Sequence, residues 1–234
     1  MAFSTQRRGM HAHGLSWIDR GGRLRRYKAP GPIGRNLACL AHVAKSRMLI
    51  GHCRYSTSGP AENNNNNHPH PADGGWIVHN GTIHNADRLA FEWELPVTID
   101  CDSEVFGLLI EEQTGTRLDR VAKSTELLEG PAVMLGLWSR PARVAIVRRG
   151  NPLHIDVDDR GNVYFASLPD CLTDPDRILD NTARVVTVRD GVAHQLIQEI
   201  DPCRKRAAEK SPPLGRSLRH YSPRALPLAA ISSE

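Results

Sequence analysis

A chain of 234 residues, 40% hydrophobic and 24% charged, is long enough for one well-cored domain and too short for two large ones. No apolar run approaches the ~20 residues of a membrane helix, and the opening MAFSTQRRGMHAHG lacks the apolar centre of a secretory signal. The net charge of +4 is carried by the C-terminal stretch, where seven Lys/Arg face three Asp/Glu from Asp201 on; the near-neutral body offers no phosphate-binding face, so a nucleic-acid partner is not expected.

In chain order, HGLSWI, a Gly-Gly turn and RLRRYK read as a hairpin within residues 1–30. Residues 33–48, IGRNLACLAHVAKSRM, carry apolar residues at helical spacing and predict a short helix. MLIGHCRYS is a buried strand. GPAENNNNNHPHPADGG, with its five-Asn tract, reads as a loop by composition. WIVHNGTI predicts a strand running into a turn at Asn80-Gly81, since Asn-Gly is the strongest short turn signal. ADRLAFEW gives a helical turn or two. In DSEVFGLLIEEQ, Asp102 or Ser103 stands as N-cap before an apolar helical face, and RLDRVAKSTELLE is a second amphipathic helix. PAVMLGLWS, RVAIVRRG, PLHIDVDDRGNVYFAS and RVVTVRDGVAHQLI are β-branched runs between Gly turns, hence consecutive antiparallel strands.

Helices and strands segregate rather than alternate, which predicts an α+β fold with antiparallel sheet. Residues 1–200 form the domain. Residues 201–234, with five prolines and little periodicity, are expected to be a basic, disordered tail. Five scattered cysteines without a C-x-x-C pair indicate neither a disulfide framework nor a zinc ribbon, and a reducing cytoplasm is the expected setting.

GHCRYSTSG, HPH, VHNGTIHN and DSEV occur in that order. With RGMHAHGLSW before them and RGNPLHI and YFASLPDCL after, they resemble the glutaminase domain of class II glutamine amidotransferases, members of the N-terminal-nucleophile hydrolases. The resemblance runs from about residue 7 to residue 200. GH-x-RYST-x-G is similar to the amidophosphoribosyltransferase branch and HPH…VHNG to the glucosamine-6-phosphate synthase branch, and the sequence leaves the choice open. It implies a four-layer αββα sandwich of two antiparallel sheets, hydrolysis of the glutamine side-chain amide to glutamate and ammonia, and neither a cofactor nor a metal.

The resemblance also implies roles. Arg54 is placed to bind the glutamine carboxylate through its fork, with Thr57 helping and Tyr55 lining the site. Arg54 could instead anchor a loop through carbonyls. Asp102 is placed to hold the ammonium, or to serve as a plain N-cap. Asn80, through its side-chain amide, and Gly81, through its backbone N–H, are placed as the oxyanion pair.

The family's nucleophile is a Cys at the mature N-terminus, on a strand ahead of the Arg-Gly segment. Here position 2 is Ala, no Cys stands in the opening residues, and that first strand and helix are absent from the sequence. Three explanations stay open: a start lying upstream, a domain that keeps the pocket or scaffold without catalysis, or recruitment of another thiol, for which Cys53 is the candidate. No second catalytic domain fits in the chain, so an ammonia-accepting synthase is expected to be another chain. Two readings of other classes remain. One is a non-enzymatic interaction module. The other is a metal site among His52, Cys53, His68, His70, His79 and His84, against which Pro69 and the loop composition argue.

Overall fold

The computed structural model describes residues 5–177, 182–189 and 192–199. After a 3₁₀ turn at Gln6–Arg8, strands β1 (Ala12–Ile18) and β2 (Leu24–Pro30) form the expected hairpin. A 3₁₀ turn at Ile33–Arg35 and helix α1 (Cys39–Val43) precede β3 (Met48–Arg54). β4 (His70–Ala72) and β5 (Gly75–Gly81) lead to helices α2 (Ala86–Glu92), α3 (Ser103–Glu112) and α4 (Arg117–Leu127). The chain continues through β6 (Ala132–Ser139), β7 (Ala142–Arg149), β8 (His154–Val157), β9 (Val163–Ala166), β10 (Asp176–Arg177), β11 (Thr182–Arg189) and β12 (Val192–Glu199).

All pairings are antiparallel. A six-stranded sheet has the order β12-β11-β7-β6-β5-β4, and two three-stranded sheets have the orders β2-β1-β3 and β10-β8-β9. The alternation of side chains along β6 and β7 explains the layering. Val133, Leu137, Val144 and Ile146 point one way and join Ile18, Ile50 and Ile155 of the smaller sheets, with Leu153 just before β8. Ala132, Met134, Ala145 and Val147 point the other way and meet Val105, Phe106, Leu109, Val121 and Ala122 of α3 and α4. Both faces of these strands are covered, which is why VMLGLW and VAIV read as unbroken apolar runs rather than alternating ones. A third cluster, Leu15, Trp17, Ile33 and Cys39, covers the outer face of the β2-β1-β3 sheet. The result is the α+β, αββα sandwich.

Three local expectations are corrected. Asn80 and Gly81 are not a turn: they are the last residues of β5, paired with Val133 and Ala132. A Cβ on Gly81 would meet the Pro131 carbonyl oxygen at 2.0 Å, so the close approach of the next segment, not turn geometry, demands glycine. The helix expected over 33–48 is broken into two short pieces, because Asn36 sits at φ −138°, outside helical geometry. Asp102 stands before α3 but makes no side-chain cap bond; the full capping box lies at α4, between Thr116 and Asp119. The tail expected from residue 201 lies outside the described residues.

Candidate functional site

A cavity of about 1490 Å³ opens at the ends of β3 and β5 and runs between the sheets toward β9. Arg54, Tyr55, Thr57, Asn80, Gly81 and Asp102 all line it, as do Cys53 and Cys101. The sheet register explains the convergence. β3 brings Arg54 to its C-terminal end, β5 brings Asn80 and Gly81 to its own, and the turn into α3 presents Asp102 beside them.

Arg54 is 3% exposed. It donates from Nη1 to Asn67 Oδ1 at 2.8 Å, and from Nη2 to the carbonyls of Ser58 and, at 3.1 Å, Gly59. The loop-anchoring use of this arginine is therefore present in the structure. Tyr55 is exposed at the rim and its ring lies tilted by 33° against His11, centroids 4.6 Å apart, while Thr57 is exposed beside it. The Asp102 carboxylate accepts from the Ile83 N–H at 2.7 Å and from the Ser103 hydroxyl at 3.4 Å. The Asn80 carbonyl accepts from Asn151 Nδ2 at 3.1 Å, which fixes the end of β5.

The residues that brace this site were not singled out in the sequence. The five-Asn tract is a built network. Asn66 and Asn67 are fully buried. Asn67 donates to Ala61 O at 2.7 Å while accepting from Arg54. Asn66 donates to Pro60 O and accepts from the Asp100 N–H at 3.1 Å. Lys28 donates to the carbonyls of Asn65 and Asn67 at 3.0 and 2.7 Å, and burial pulls its ammonium down to about 8. On the other side, the buried Glu104 carboxylate accepts from Thr98 N and Oγ1, both at 2.8 Å, and from Ile99 N at 3.1 Å. It thereby holds the segment that leads to Cys101 and Asp102. Asparagine repeats look like low complexity, and only their burial reveals them as hydrogen-bonded architecture.

The histidines separate into groups. His52, His68 and His70 cluster, with ring centroids 4.2 Å apart between the first two and 4.5 Å between the last two. His79 lies apart, accepting from or donating to Ser103 Oγ at 2.9 Å and meeting Phe106 edge-on. Burial pushes the His79 imidazole down to about 4, partly opposed by Asp102. In the unfolded chain it titrates near ~6.5, so between these values the unfolded state binds the extra proton. The stabilisation is full above pH ~6.5 and is lost as the pH falls toward 4. A shift of this size corresponds to about 3 kcal/mol. Urea denaturation at pH 7 and pH 4.5 is expected to show a large acid loss that shrinks in His79→Gln; an identical loss in both proteins would refute the assignment.

Both cavity thiols are held protonated: burial raises Cys53 and Cys101. Neither has the depressed pKa of an activated nucleophile.

The molecule thus stacks antiparallel sheets flanked by helices and gathers an arginine, an Asn-Gly pair and an aspartate at strand ends. The fold matches the solved structure of the allosteric regulatory enzyme of purine biosynthesis, with a TM-score of 0.69, 23% identity, and coverage of 85% of this chain and 45% of that one. It also matches glutamine phosphoribosylpyrophosphate amidotransferase from B. subtilis complexed with ADP and GMP, with a TM-score of 0.65, 21% identity and the same coverage, 85% and 45%. In sequence, the chain is 31% identical over 194 residues to glutamine–fructose-6-phosphate aminotransferase (isomerizing) of Aeropyrum pernix, covering 79% of this chain and 30% of that protein. No family model matches the chain. Homologous sequence and shared fold together identify a class II glutamine amidotransferase domain. The chain spans 24% and 30% of the length of the first two curated relatives. No helix of the described residues is long and apolar enough to cross a membrane.

Proposed function

We propose that the domain binds L-glutamine in the cavity between the sheets and serves the hydrolysis of its side-chain amide to glutamate and ammonia. The observation that carries this reading is the convergence of Arg54, Asn80, Gly81 and Asp102 on one cavity, although 48 positions separate the first from the last. Asp102 offers the fixed anion that an ammonium needs. Arg54, whose fork also holds the Ser58–Gly59 carbonyls and Asn67, supplies the positive charge that a carboxylate needs, with Thr57 and Tyr55 at the rim. Asn80 and the Gly81 N–H suit an oxyanion formed on the amide carbon. In this reading the ammonia passes to a synthase chain or domain outside these residues. Cys39, Cys101 and Cys171 form no disulfide among the described residues, and the setting in this reading is a reducing cytoplasm.

The test is calorimetric titration of the chain with glutamine. Asp102→Asn removes the charge-assisted contact and is expected to weaken binding by about tenfold to a hundredfold. Glutamine binding that is absent, or unchanged in Asp102→Asn, refutes the reading. A second reading is favoured by the raised thiols of Cys53 and Cys101: a glutamine-binding or protein-interaction domain without catalysis of its own. Binding without ammonia release, in every form of the protein including one with a Cys nucleophile supplied, selects it.

A further inference from the structure

Outside the residues assigned to glutamine, His68, His70 and Cys101 stand together. Their ligand-type atoms all lie within 4.8 Å of one another, and all three residues are buried. Both ring nitrogens of His68 and Nε2 of His70 are buried without a hydrogen-bond partner. A buried polar atom left in that state is costly, so three on one His-Pro-His segment call for an explanation. The Cys101 thiol has a long contact, 3.9 Å, to Asp102 Oδ1 and also interacts with the backbone and side chain of Ser103.

The scaffold around them is stiff, contrary to what the loop composition suggests. A Cβ on Gly14 would meet the His68 carbonyl oxygen at 2.0 Å, so β1 lies hard against the segment. His70 is in register with Ile77 on β5. Asn66, two residues before His68, accepts from the Asp100 N–H, one residue before Cys101. The two halves of the cluster are therefore already tied to each other.

We infer that His68, His70 and Cys101 form a zinc site. Two imidazoles and a thiolate suit a borderline-soft divalent ion and not Mg²⁺ or Ca²⁺, which take oxygen ligands. Zn–N bonds of ~2.0–2.1 Å and a Zn–S bond of ~2.3 Å in tetrahedral geometry put these ligand atoms roughly 3.3–3.6 Å apart. The widest separation need close by only about 1 Å, within reach of χ rotations. Binding replaces the S–H bond of Cys101 by an S–Zn bond and releases that proton to solvent; nothing is oxidised or reduced. Lys28 and Arg54 are the cationic neighbours, and Asp102 and Glu104 the anionic ones.

His68 and Cys101 line the cavity and His70 does not, so a fourth coordination position faces the cavity and takes water. The ion links the segment that holds Arg54, through Asn67, to the residue preceding Asp102. It acts as a clasp between the two sides of the cavity. The site itself does not depend on the glutamine reading.

The experiment uses the full 234-residue chain, stripped with chelator and reloaded with Zn²⁺ or Co²⁺. One equivalent of zinc is expected to survive gel filtration and to raise the melting temperature. The Co²⁺ form is expected to show intense tetrahedral visible bands and a thiolate-to-metal charge-transfer band in the near ultraviolet. Cys101→Ser and His70→Gln are each expected to weaken zinc binding by about a hundredfold or more, while Cys171→Ser leaves it unchanged. Substoichiometric zinc in the wild-type chain, a Co²⁺ spectrum without thiolate charge transfer, or zinc retained undiminished in Cys101→Ser and His70→Gln overturns the site. If a variant does not fold, the Co²⁺ spectrum of the wild-type chain alone decides. Glutamine titration of the zinc-free chain reports on the glutamine reading separately.

Discussion

Arg54→Met is expected to destabilise the protein by about 3–5 kcal/mol and to abolish glutamine binding in the same stroke. The guanidinium is buried and its donors reach Asn67 Oδ1, Ser58 O and Gly59 O. Each hydrogen bond to a charged group is worth about 1.5–3 kcal/mol, and acceptors left dry cost more than they gained. Methionine fills similar volume and offers no donor. Arg54→Lys keeps the charge but not the fork, so it is expected to recover part of the stability and little of the binding. Denaturant melts and calorimetry separate the two effects. A double-mutant cycle with Asn67→Leu measures the link to the Asn tract, with a coupling of about 1–2 kcal/mol expected. A loss under 1 kcal/mol in Arg54→Met, or additive single effects, would mean that the loop organises itself without the arginine. If Arg54→Met binds glutamine normally, Arg54 is an anchor only, and the carboxylate is held by other groups at the rim.

The fold was legible where local pattern and layer architecture agree. The Gly-Gly hairpin, the adjacent helices α3 and α4 and the run of later strands follow from short-range periodicity. Arg54, Asn80, Gly81 and Asp102 could be placed in one site because four ordered blocks resemble one family. What the sequence hid is what depends on tertiary burial. Asn80-Gly81 carries the strongest turn signal in the chain and is strand, because β6 pairs alongside it. NNNNN scores as low complexity, yet Asn66 and Asn67 are wholly buried with partners at Pro60, Ala61 and Asp100. Nothing in the helical pattern of DSEVFGLLIEEQ marks Glu104, whose carboxylate gathers the Thr98 and Ile99 donors. Sequence does not group Cys101 with the histidines, since more than thirty positions separate it from His68, and bonds such as those of Asp100 to Asn66 and Ser58 help to bring them together.

A polypeptide of this sequence is expected to release no ammonia from glutamine above background, and Cys53→Ala is expected to leave that result unchanged. Attack on the amide carbon needs a thiolate and a base to make it. In the related glutaminases, as the resemblance implies, both come from one terminal cysteine, whose α-amine has an ordinary pKa near ~8. Cys53 has no such amine. Its thiol is raised by burial and lies 3.8 Å from the Thr5 hydroxyl. Cys101 is likewise raised. Losing one oxyanion donor costs about 10²–10³ in kcat, whereas losing the nucleophile removes the covalent pathway altogether. A form extended at the N-terminus to carry a Cys with a free α-amine at the cavity is therefore expected to turn over glutamine. In that form Cys→Ala abolishes activity, and Asn80→Ala lowers kcat by about 10²–10³. A coupled assay for ammonia on both forms is the measurement. Turnover by the unextended chain that vanishes in Cys53→Ala would make Cys53 the nucleophile and overturn this account. Turnover that survives Cys53→Ala but is lost in Cys101→Ser would move the chemistry to the other wall of the cavity, beside His68 and His70. An extended form that binds glutamine yet releases no ammonia would show that the cavity holds the substrate without orienting its amide toward Asn80 and Gly81.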